Sequence, residues 1–162
     1  MAAAFLERRG SDESRLEADL LVAHALGLER LELLMKIDAP LQPGEVDRAR
    51  DLLVRRGRRE PVAYITGSRE FYGRRFEVGP GALIPRPETE LIIDLARGWS
   101  RAVGAAEGAL PEGPLRILDI GTGSGCLAVT LALELPSASV VAVDCSPEAL
   151  VWAERNLSLI HI

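Results

Sequence analysis

Two features of the sequence combine into a candidate ligand site: a glycine-rich run and a carboxylate further along the chain. The run Asp119-Ile-Gly-Thr-Gly-Ser-Gly125 has three alternating glycines, and Asp144 follows later. Glycine lets a backbone turn sharply beside a ligand because it has no Cβ. The free amides at the start of a following helix attract polar groups, and a carboxylate can accept hydrogen bonds from both hydroxyls of a ribose. This combination favours binding of an adenosine-type cofactor.

The spacing of the glycines differs from that of a dinucleotide site. The dinucleotide pattern G-x-G-x-x-G requires glycine at its sixth position, where this sequence has Cys126. A glycine loop alone is also compatible with a purely structural turn. In that interpretation Asp119 orients the loop through backbone hydrogen bonds, and Thr122 and Ser124 cap the next helix.

The elements around the glycine run form one βαβ unit. We predict strands at Leu115–Ile120 and Ser139–Val143 and a helix at Cys126–Leu135 between them. Ser146 then begins another helix as its N-cap residue. The apolar strands predict a parallel sheet that is covered on both faces.

The segment before this unit is predicted to be extended and then helical. Residues 62–65 look extended, and residues 69–72 and 75–78 alternate as a β-hairpin around a glycine turn. A helix should begin at Pro87 and end near Gly98. We expect its inward face to contain these apolar residues: Leu91, Ile92, Leu95 and Ala96.

Residues 1–60 are predicted to form short amphipathic helices. Ser14 and Glu17 have the spacing of a capping box. A bundle of this size is marginal by itself, and it is better suited to presenting a surface than to enclosing a reaction. A basic cluster, residues 55–59, is interpreted as a solvated helix end, where cations suit the helix dipole.

Composition excludes several classes of protein. The chain has 162 residues, a net charge of −5 and a hydrophobic fraction of 48%, which is typical of a globular protein. No apolar run is long enough for a membrane span, and the start resembles no secretory signal. Cys126 and Cys145 are the only cysteines, so we expect no metal site and a cytoplasmic location. The acidic balance and scarce aromatic residues disfavour direct nucleic-acid binding.

The motifs together resemble a known family. The run 119–125 followed by Asp144 is similar to the cofactor motifs of class I S-adenosylmethionine methyltransferases. The upstream runs Glu60-Pro-Val-Ala-Tyr-Ile-Thr-Gly67, Arg69-Glu-Phe-Tyr-Gly73 and Leu83-Ile-Pro-Arg-Pro-Glu-Thr-Glu90 narrow the resemblance to the peptide chain release factor N(5)-glutamine methyltransferases. The match covers about residues 5–156.

The resemblance implies an α/β fold with a defined domain order. A small helical bundle that docks the protein substrate covers residues 1–60, and an extended or β-hairpin linker covers 61–86. Residues 87–156 are the first βαβ portion of a Rossmann-like methyltransferase domain. The implied cofactor is S-adenosyl-L-methionine, held by Gly121, Thr122, Gly123, Ser124, Gly125 and Asp144. Arg86, Pro87 and Thr89 either shape the pocket entrance or only begin a helix.

The implied reaction is methylation of a glutamine side-chain amide. The glutamine belongs to the Gly-Gly-Gln motif of class 1 peptide chain release factors, the implied protein partner. The family holds that amide with an Asn-Pro-Pro-Tyr motif, which is absent from these 162 residues. No catalytic residue is therefore assigned, and we expect an inactive fragment that provides two strands of a seven-stranded sheet, with open edges and uncovered apolar faces.

Residues 157–162 depart from the family pattern. In one reading frame they match translated adapter sequence from library preparation, so we expect a non-native tail; a natural, divergent end is the alternative. Two other functions stay open. One is an adenine-N6 type nucleic-acid methyltransferase, which shares the cofactor loop. The other is a non-catalytic fragment that binds a release factor.

Overall fold

The structure is a computed structural model that describes residues 1–105 and 115–159. It divides into two compact units, Met1–Thr66 and Gly67–Ile162. Helices make up the first unit, whereas the second combines helices with two small sheets. The predicted α/β class, with helices first and a βαβ unit after a hairpin, is confirmed. The domain boundaries at 60, 86 and 156 stay predictions.

The first unit is a bundle of short helices. They are α1 (Ala2–Arg8), α2 (Ser14–Leu26), α3 (Arg30–Met35), α4 (Pro43–Gly57) and α5 (Val62–Thr66). Leu6 and Leu21 are fully buried at its centre, with Ala18 and Ile65 beside them. By contrast, α3 buries none of its residues. The apolar core of this unit is therefore small and lies mainly between α1, α2 and α5.

The segment predicted to be extended at residues 62–65 is the helix α5, so that prediction is wrong. The amides of Tyr64 and Ile65 both donate to the carbonyl of Pro61, at 3.0 and 3.1 Å. Proline suits the start of a helix because its fixed φ matches the helical value and its missing N–H is not needed there. This initiation overrides the strand preference of the β-branched residues.

The capping box predicted at Ser14 is also wrong. Glu13 is the N-cap residue of α2 and makes no side-chain capping hydrogen bond. Reciprocal boxes occur instead at α3, where Glu29 N donates to Glu32, and at α4, where Gln42 N donates to Glu45, both at 2.8 Å. Glutamate and glutamine occupy the N-cap positions, which are not the residues from which a box is usually predicted.

Two arginines of the basic cluster at residues 55–59 form ion pairs within the unit. Arg55 makes a two-point contact with Glu60, at 2.6 and 2.9 Å, and Arg56 makes one with Glu17, at 2.8 Å for both bonds. Arg59 donates to the carbonyl of Gly10 at 2.9 Å. Three of the four arginines therefore have hydrogen-bond partners within the unit, and Arg56 joins α4 to α2.

The pair between Glu17 and Arg56 makes stability depend on pH. Burial opposes ionisation of Glu17, but hydrogen bonds from Arg56 and Ser11 outweigh it and hold the pKa of Glu17 below its ordinary 4.5. A carboxyl whose pKa is lowered by folding stabilises the fold above its ordinary pKa and loses that contribution as the pH falls through the folded value.

We therefore expect Glu17→Gln to lower the free energy of unfolding by about 1–2 kcal/mol at pH 7, between the values for exposed and buried pairs. The difference from the unsubstituted chain should shrink at pH 3. Urea unfolding followed by circular dichroism at both pH values measures it, with the exposed Glu7→Gln as the control. An equal loss at both pH values would contradict the role of the pair.

The second unit begins with a hairpin. Strands β1 (Ser68–Phe71) and β2 (Arg74–Glu77) pair antiparallel, with Phe71 opposite Arg74. The turn residues Tyr72 and Gly73 both have positive φ, at +51° and +67°, as a two-residue turn of type I′ requires. The predicted hairpin is thus confirmed, one residue earlier in the chain.

The βαβ unit follows after a short 3₁₀ turn (Pro87–Thr89) and α6 (Glu90–Ala105). Strand β3 (Arg116–Ile120) pairs in parallel with β4 (Ser139–Val143), and α7 (Cys126–Glu134) connects them. Helix α8 (Pro147–Leu159) follows β4, and the Ser146 hydroxyl accepts from the Ala149 amide at 3.2 Å, which confirms Ser146 as a capping residue. Leu157–Leu159, the first part of the predicted tail, continue α8.

An apolar core joins the hairpin to the βαβ unit. Phe71 and Phe76 are fully buried and meet edge to face, with ring centroids 6.1 Å apart at 79°. Ile93 of α6 and Val129 and Leu131 of α7 complete this core. Aromatic pairs in this geometry add stability beyond the area that they bury, so the hairpin is part of the second unit's core.

Helix α6 differs from its prediction in two ways. It continues past Gly98 to Ala105, and its fully buried residue is Ile93. Ala96 packs against the core as expected, but Leu91 and Leu95 are 60% and 64% exposed, and Ile92 is exposed as well. The apolar stripe on this helix is wider than the core that it meets. Periodicity alone therefore predicted the wrong residues to be buried.

Only one face of the β3–β4 sheet is covered by the described residues. Ile117 and Val140 pack against the core, whereas Ile120 and Val141 are 78% and 50% exposed. Among the described residues one apolar face of the sheet is thus exposed and the other is covered. The prediction of a sheet covered on both faces is wrong for these residues, the expectation of uncovered faces holds for one face, and the open edges stay a prediction. None of the helices described here is long and apolar enough to cross a membrane.

Candidate functional site

The glycine loop, residues 121–125, lies between the end of β3 and the start of α7. The amides of Gly121 and Thr122 both donate to the carbonyl of Val143, at 2.8 and 3.0 Å, and this carbonyl is at the end of β4. The amide of Gly125 donates to the carbonyl of Thr122 at 2.8 Å. Because the strands are parallel, both of their carboxyl ends meet here, which is where ligands bind in open α/β sheets.

Gly121 and Gly125 adopt left-handed conformations but have different surroundings. Their φ angles are +80° and +77°, a region that other residues rarely adopt. A Cβ on Gly121 would meet no described atom within 4 Å, whereas one on Gly125 would lie 3.1 Å from the Cα and Cβ of Ala153 in α8. The loop is therefore open at its start and tightly packed at its end.

Asp144 directly contacts the glycine loop. Its Oδ2 accepts from the Gly123 amide at 2.8 Å, and its Oδ1 accepts from the Ser146 amide at 2.9 Å. The hydrogen bond from Ser146, followed by that from Gly123, holds the pKa of Asp144 below its ordinary value. Since a carboxylate has about four acceptor sites, the two oxygens of Asp144 retain capacity for further donors such as hydroxyl groups.

The two polar residues of the loop do not cap α7. The N-cap residue is Gly125, with no side-chain capping hydrogen bond. The Thr122 hydroxyl donates instead to Asp119 at 2.7 Å, and Ser124 is almost fully buried. The capping interpretation is therefore wrong. Asp119 does hold the loop, but through a side-chain hydroxyl and not through the backbone.

The six predicted binding residues are thus close together along one edge of the sheet. They are Gly121, Thr122, Gly123, Ser124, Gly125 and Asp144. Their binding of a cofactor stays a prediction. The surroundings are polar amides and one carboxylate, a donor and acceptor set that suits a nucleoside. No cluster of three or more metal-ligating side chains occurs within residues 1–105 and 115–159.

The segment before α6 passes beside this loop. The amide nitrogen of Leu83 lies 4.0 Å from the position of a Cβ on Gly123. Arg86 is the N-cap residue of the 3₁₀ turn, and its carbonyl accepts from the Thr89 amide at 3.1 Å. Pro87 occupies the first position of that turn. The helix-start interpretation of Arg86, Pro87 and Thr89 is therefore correct in the structure, and a role at a pocket entrance stays a prediction.

Sequence reasoning missed two residues whose contacts connect α8 to distant parts of the second unit. Asn156 is fully buried, and the Trp152 indole donates to the carbonyl of Pro80 at 3.1 Å. Both lie on α8, which the sequence placed only as the next helix of the fold. An asparagine among apolar residues on a helix is the one pattern that could have indicated a buried polar contact.

Two family models match the chain. Residues 1–67 match the PrmC N-terminal domain, and residues 117–161 match a methyltransferase domain.

Several curated relatives are named release factor glutamine methyltransferase. The one from Geobacter sulfurreducens is 45% identical over 152 residues, which cover 94% of this chain and 50% of the relative. The one from Chlorobaculum tepidum is 46% identical over 153 residues, 94% of this chain and 51% of the relative. The one from Nitratidesulfovibrio vulgaris is 41% identical over 151 residues, 93% of this chain and 48% of the relative. The chain spans about half the length of these relatives. The resemblance that the motifs predict is confirmed.

Proposed function

We propose that this chain is the amino-terminal half of an S-adenosylmethionine-dependent protein-glutamine N-methyltransferase. The whole protein methylates the side-chain amide of the glutamine in the Gly-Gly-Gln motif of class 1 release factors. The observation that carries the proposal is the hydrogen bond from Gly123 to Asp144, which joins the two predicted halves of the cofactor site. It occurs in a chain 41–46% identical to three release factor glutamine methyltransferases.

The residues at this edge suit S-adenosyl-L-methionine. The space beside Gly121 lets a ligand approach the main chain, and Asp144 has free acceptor sites for two ribose hydroxyls. When bound, the cofactor supplies an electrophilic methyl group on a sulfonium. In this proposal residues 121–125 and Asp144 bind and orient that cofactor, with no metal and no catalytic residue from this chain.

The nucleophile in this reaction, the side-chain amide nitrogen of glutamine, is weak, so the rest of the enzyme must position it. An amide nitrogen reacts only when it is aligned with the methyl group and shielded from water. By resemblance, an Asn-Pro-Pro-Tyr motif holds this amide, and the 162 residues contain none. The chain by itself therefore binds the cofactor but does not transfer the methyl group.

The activity is tested with labelled cofactor and a class 1 release factor. We expect no label above background from the 162-residue chain, and strong labelling from a chimera in which residues 1–156 replace the aligned half of the Geobacter sulfurreducens relative. The same chimera with Asp144→Ala is the matched control and should label at least about 100-fold more slowly, because it lacks the ribose acceptor. A folded chimera that leaves the glutamine unlabelled would contradict the proposal, and turnover by the 162-residue chain would contradict its status as a fragment.

The first unit is proposed to dock the release factor. It contains a cavity of about 450 Å³ whose lining includes Val22, Leu33 and Ile37. Leu31 and Met35 on α3 are 69% and 74% exposed, and exposed apolar side chains that lie together are typical of protein interaction sites. The proposed boundaries are 1–60 for docking, 61–86 for the linker, 87–156 for cofactor binding and 157–162 for the tail.

These exposed apolar side chains also favour the second candidate, a fragment that binds a release factor without catalysis. Capture of a release factor by the chain, with no label transferred, would agree with it. The nucleic-acid alternative is weaker, because Arg55, Arg56 and Arg59 are engaged within the protein and the net charge is −5. The proposal places the protein in the cytoplasm, where release factors act.

A further inference from the structure

One side chain that this function does not use joins the glycine loop to the hairpin. Asn156 lies on α8 and is fully buried. Its Oδ1 accepts from the Glu77 amide at 2.7 Å, and its Nδ2 donates to the Glu77 carbonyl at 2.9 Å and to the Ser124 carbonyl at 2.8 Å. Both amide hydrogens and the oxygen are therefore engaged.

The two contacts with Glu77 imitate a neighbouring strand. Glu77 is the last residue of β2 and lies opposite Ser68 of β1. The Asn156 amide bonds both the N–H and the C=O group of Glu77. A buried backbone polar group without a partner is costly, so this pairing anchors α8 to the hairpin.

The remaining contact holds the glycine loop. The carbonyl of Ser124 and the amide of Gly125 belong to one planar peptide group. Asn156 holds the carbonyl end of this group, and the Thr122 carbonyl holds its amide end at 2.8 Å. The Thr122 carbonyl belongs to the same peptide group as the Gly123 amide, which donates to Asp144. A series of hydrogen bonds therefore runs from Asn156 through the loop to Asp144.

We propose that Asn156 is a positioning residue for the cofactor loop, a role that rests on the proposed function. It does not touch the cofactor. It fixes the 124–125 peptide so that the loop is ordered before the cofactor arrives, and preorganisation of this kind strengthens binding by reducing the entropy lost on association. Its loss should therefore loosen the loop selectively and weaken cofactor binding.

A merely structural role predicts a different outcome. If Asn156 only stabilises the fold, its substitution should act like any other change in the core of the second unit. Leu131→Ala is a suitable comparison, because Leu131 is buried in the same unit and lies on α7 one turn beyond the start of the helix. Asn156→Asp keeps the size of the side chain and the acceptor for the Glu77 amide. It lacks both donors, so it removes the contact with the Ser124 carbonyl together with that to the Glu77 carbonyl.

The test compares Asn156→Asp with Leu131→Ala in the complete 162-residue chain. Amide hydrogen exchange at Thr122, Gly123 and Gly125 should be at least about 10-fold faster in Asn156→Asp than in Leu131→Ala, relative to the β3 amides of each variant. Equilibrium dialysis should show S-adenosylmethionine binding at least about 10-fold weaker in Asn156→Asp, the loss of roughly one hydrogen bond. Equal exchange or equal affinity in the two folded variants overturns the proposal.

Two further outcomes keep the tests of Asn156 and of the function separate. If the unsubstituted chain binds no S-adenosylmethionine, the cofactor assignment fails, while selective loosening of the loop still assigns the positioning role. If Asn156→Asp does not fold, the side-chain amide hydrogens of Asn156 in the unsubstituted chain decide. Their exchange should slow at least about 10-fold when bound S-adenosylmethionine suppresses the remaining openings of the loop, and unchanged exchange with bound cofactor overturns the proposal.

Discussion

Asp144→Ala should weaken S-adenosylmethionine binding by at least about 100-fold and leave the second unit folded. The substitution removes the acceptor proposed for two ribose hydroxyls, and it also releases the amides of Gly123 and Ser146. Hydrogen bonds to a charged group are the stronger ones, so losing ligand contacts and loop support together has a large effect. Equilibrium dialysis with labelled cofactor measures the affinity, and tryptophan fluorescence reports folding because Trp99 and Trp152 both lie in the second unit.

Two neighbouring substitutions sharpen this test. Asp144→Asn keeps one acceptor oxygen but loses the charge, and we expect it to weaken binding by about 10-fold. Glu148→Gln is the matched control, since Glu148 is exposed and its carboxylate accepts from the Ser146 hydroxyl in the same turn. If Asp144→Ala binds the cofactor as well as Glu148→Gln does, Asp144 is not part of the site.

The charge of Asp144 should also persist in mild acid. Hydrogen bonds from Ser146 and then Gly123 lower its pKa from the ordinary 3.8, so the carboxylate stays ionised as the pH falls from 7 to 5. A group whose pKa is lowered contributes above its ordinary pKa and loses that contribution only below it. Protonation of Asp144 should therefore not weaken cofactor binding between pH 7 and 5.

The βαβ unit could be predicted from the sequence because several local patterns there agree. Strand residues, glycines at alternate positions, a helix that stops at Pro136 and a capping serine at Ser146 all favour the same fold. The order and the bounds of these elements match the structure within one residue. Where local preferences and the overall fold agree in this way, a sequence specifies its structure clearly.

The errors arise where tertiary contacts decide between similar local patterns. Residues 62–65 look extended, but Pro61 begins a helix there. The stripe on α6 is apolar on more than one side, and packing against the core that contains Phe71, Phe76 and Val129 determines that Ile93 is buried. In the site, the sequence indicated that Asp144 binds a ligand but not that it also binds Gly123, because the distance between β4 and the loop depends on strand register.

Asn156 illustrates a different limit of sequence reasoning. Its three hydrogen bonds connect residues that are 79 and 32 positions away along the chain. No local pattern contains such contacts, since side-chain hydrogen bonds to distant main chain depend on the packing of whole elements. From sequence, such a side chain can be recognised only as a single polar residue on an otherwise apolar helix face, and its partners cannot be predicted.

The glycines of the loop should respond differently to the same substitution. Gly121 and Gly125 have nearly equal φ angles, +80° and +77°, so alanine meets the same left-handed strain at both, about 1–2 kcal/mol. A Cβ at Gly125 must also displace Ala153, whose Cα and Cβ lie only 3.1 Å away, whereas a Cβ at Gly121 has open space. Overlap with the backbone of a packed helix costs a further amount of about 1–3 kcal/mol.

We therefore expect Gly125→Ala to lower the free energy of unfolding of the second unit by about 2–5 kcal/mol, against about 1–2 kcal/mol for Gly121→Ala. Among folded molecules, Gly121→Ala should weaken cofactor binding more than Gly125→Ala does. The methyl group of Gly121→Ala occupies space that the cofactor is proposed to use, and we expect about a 10-fold loss of affinity there. Urea unfolding followed by tryptophan fluorescence, with equilibrium dialysis at low urea, measures both quantities. Equal destabilisation by the two substitutions would show that α8 moves to accommodate the new methyl group. Gly125 would then be required only for its backbone conformation.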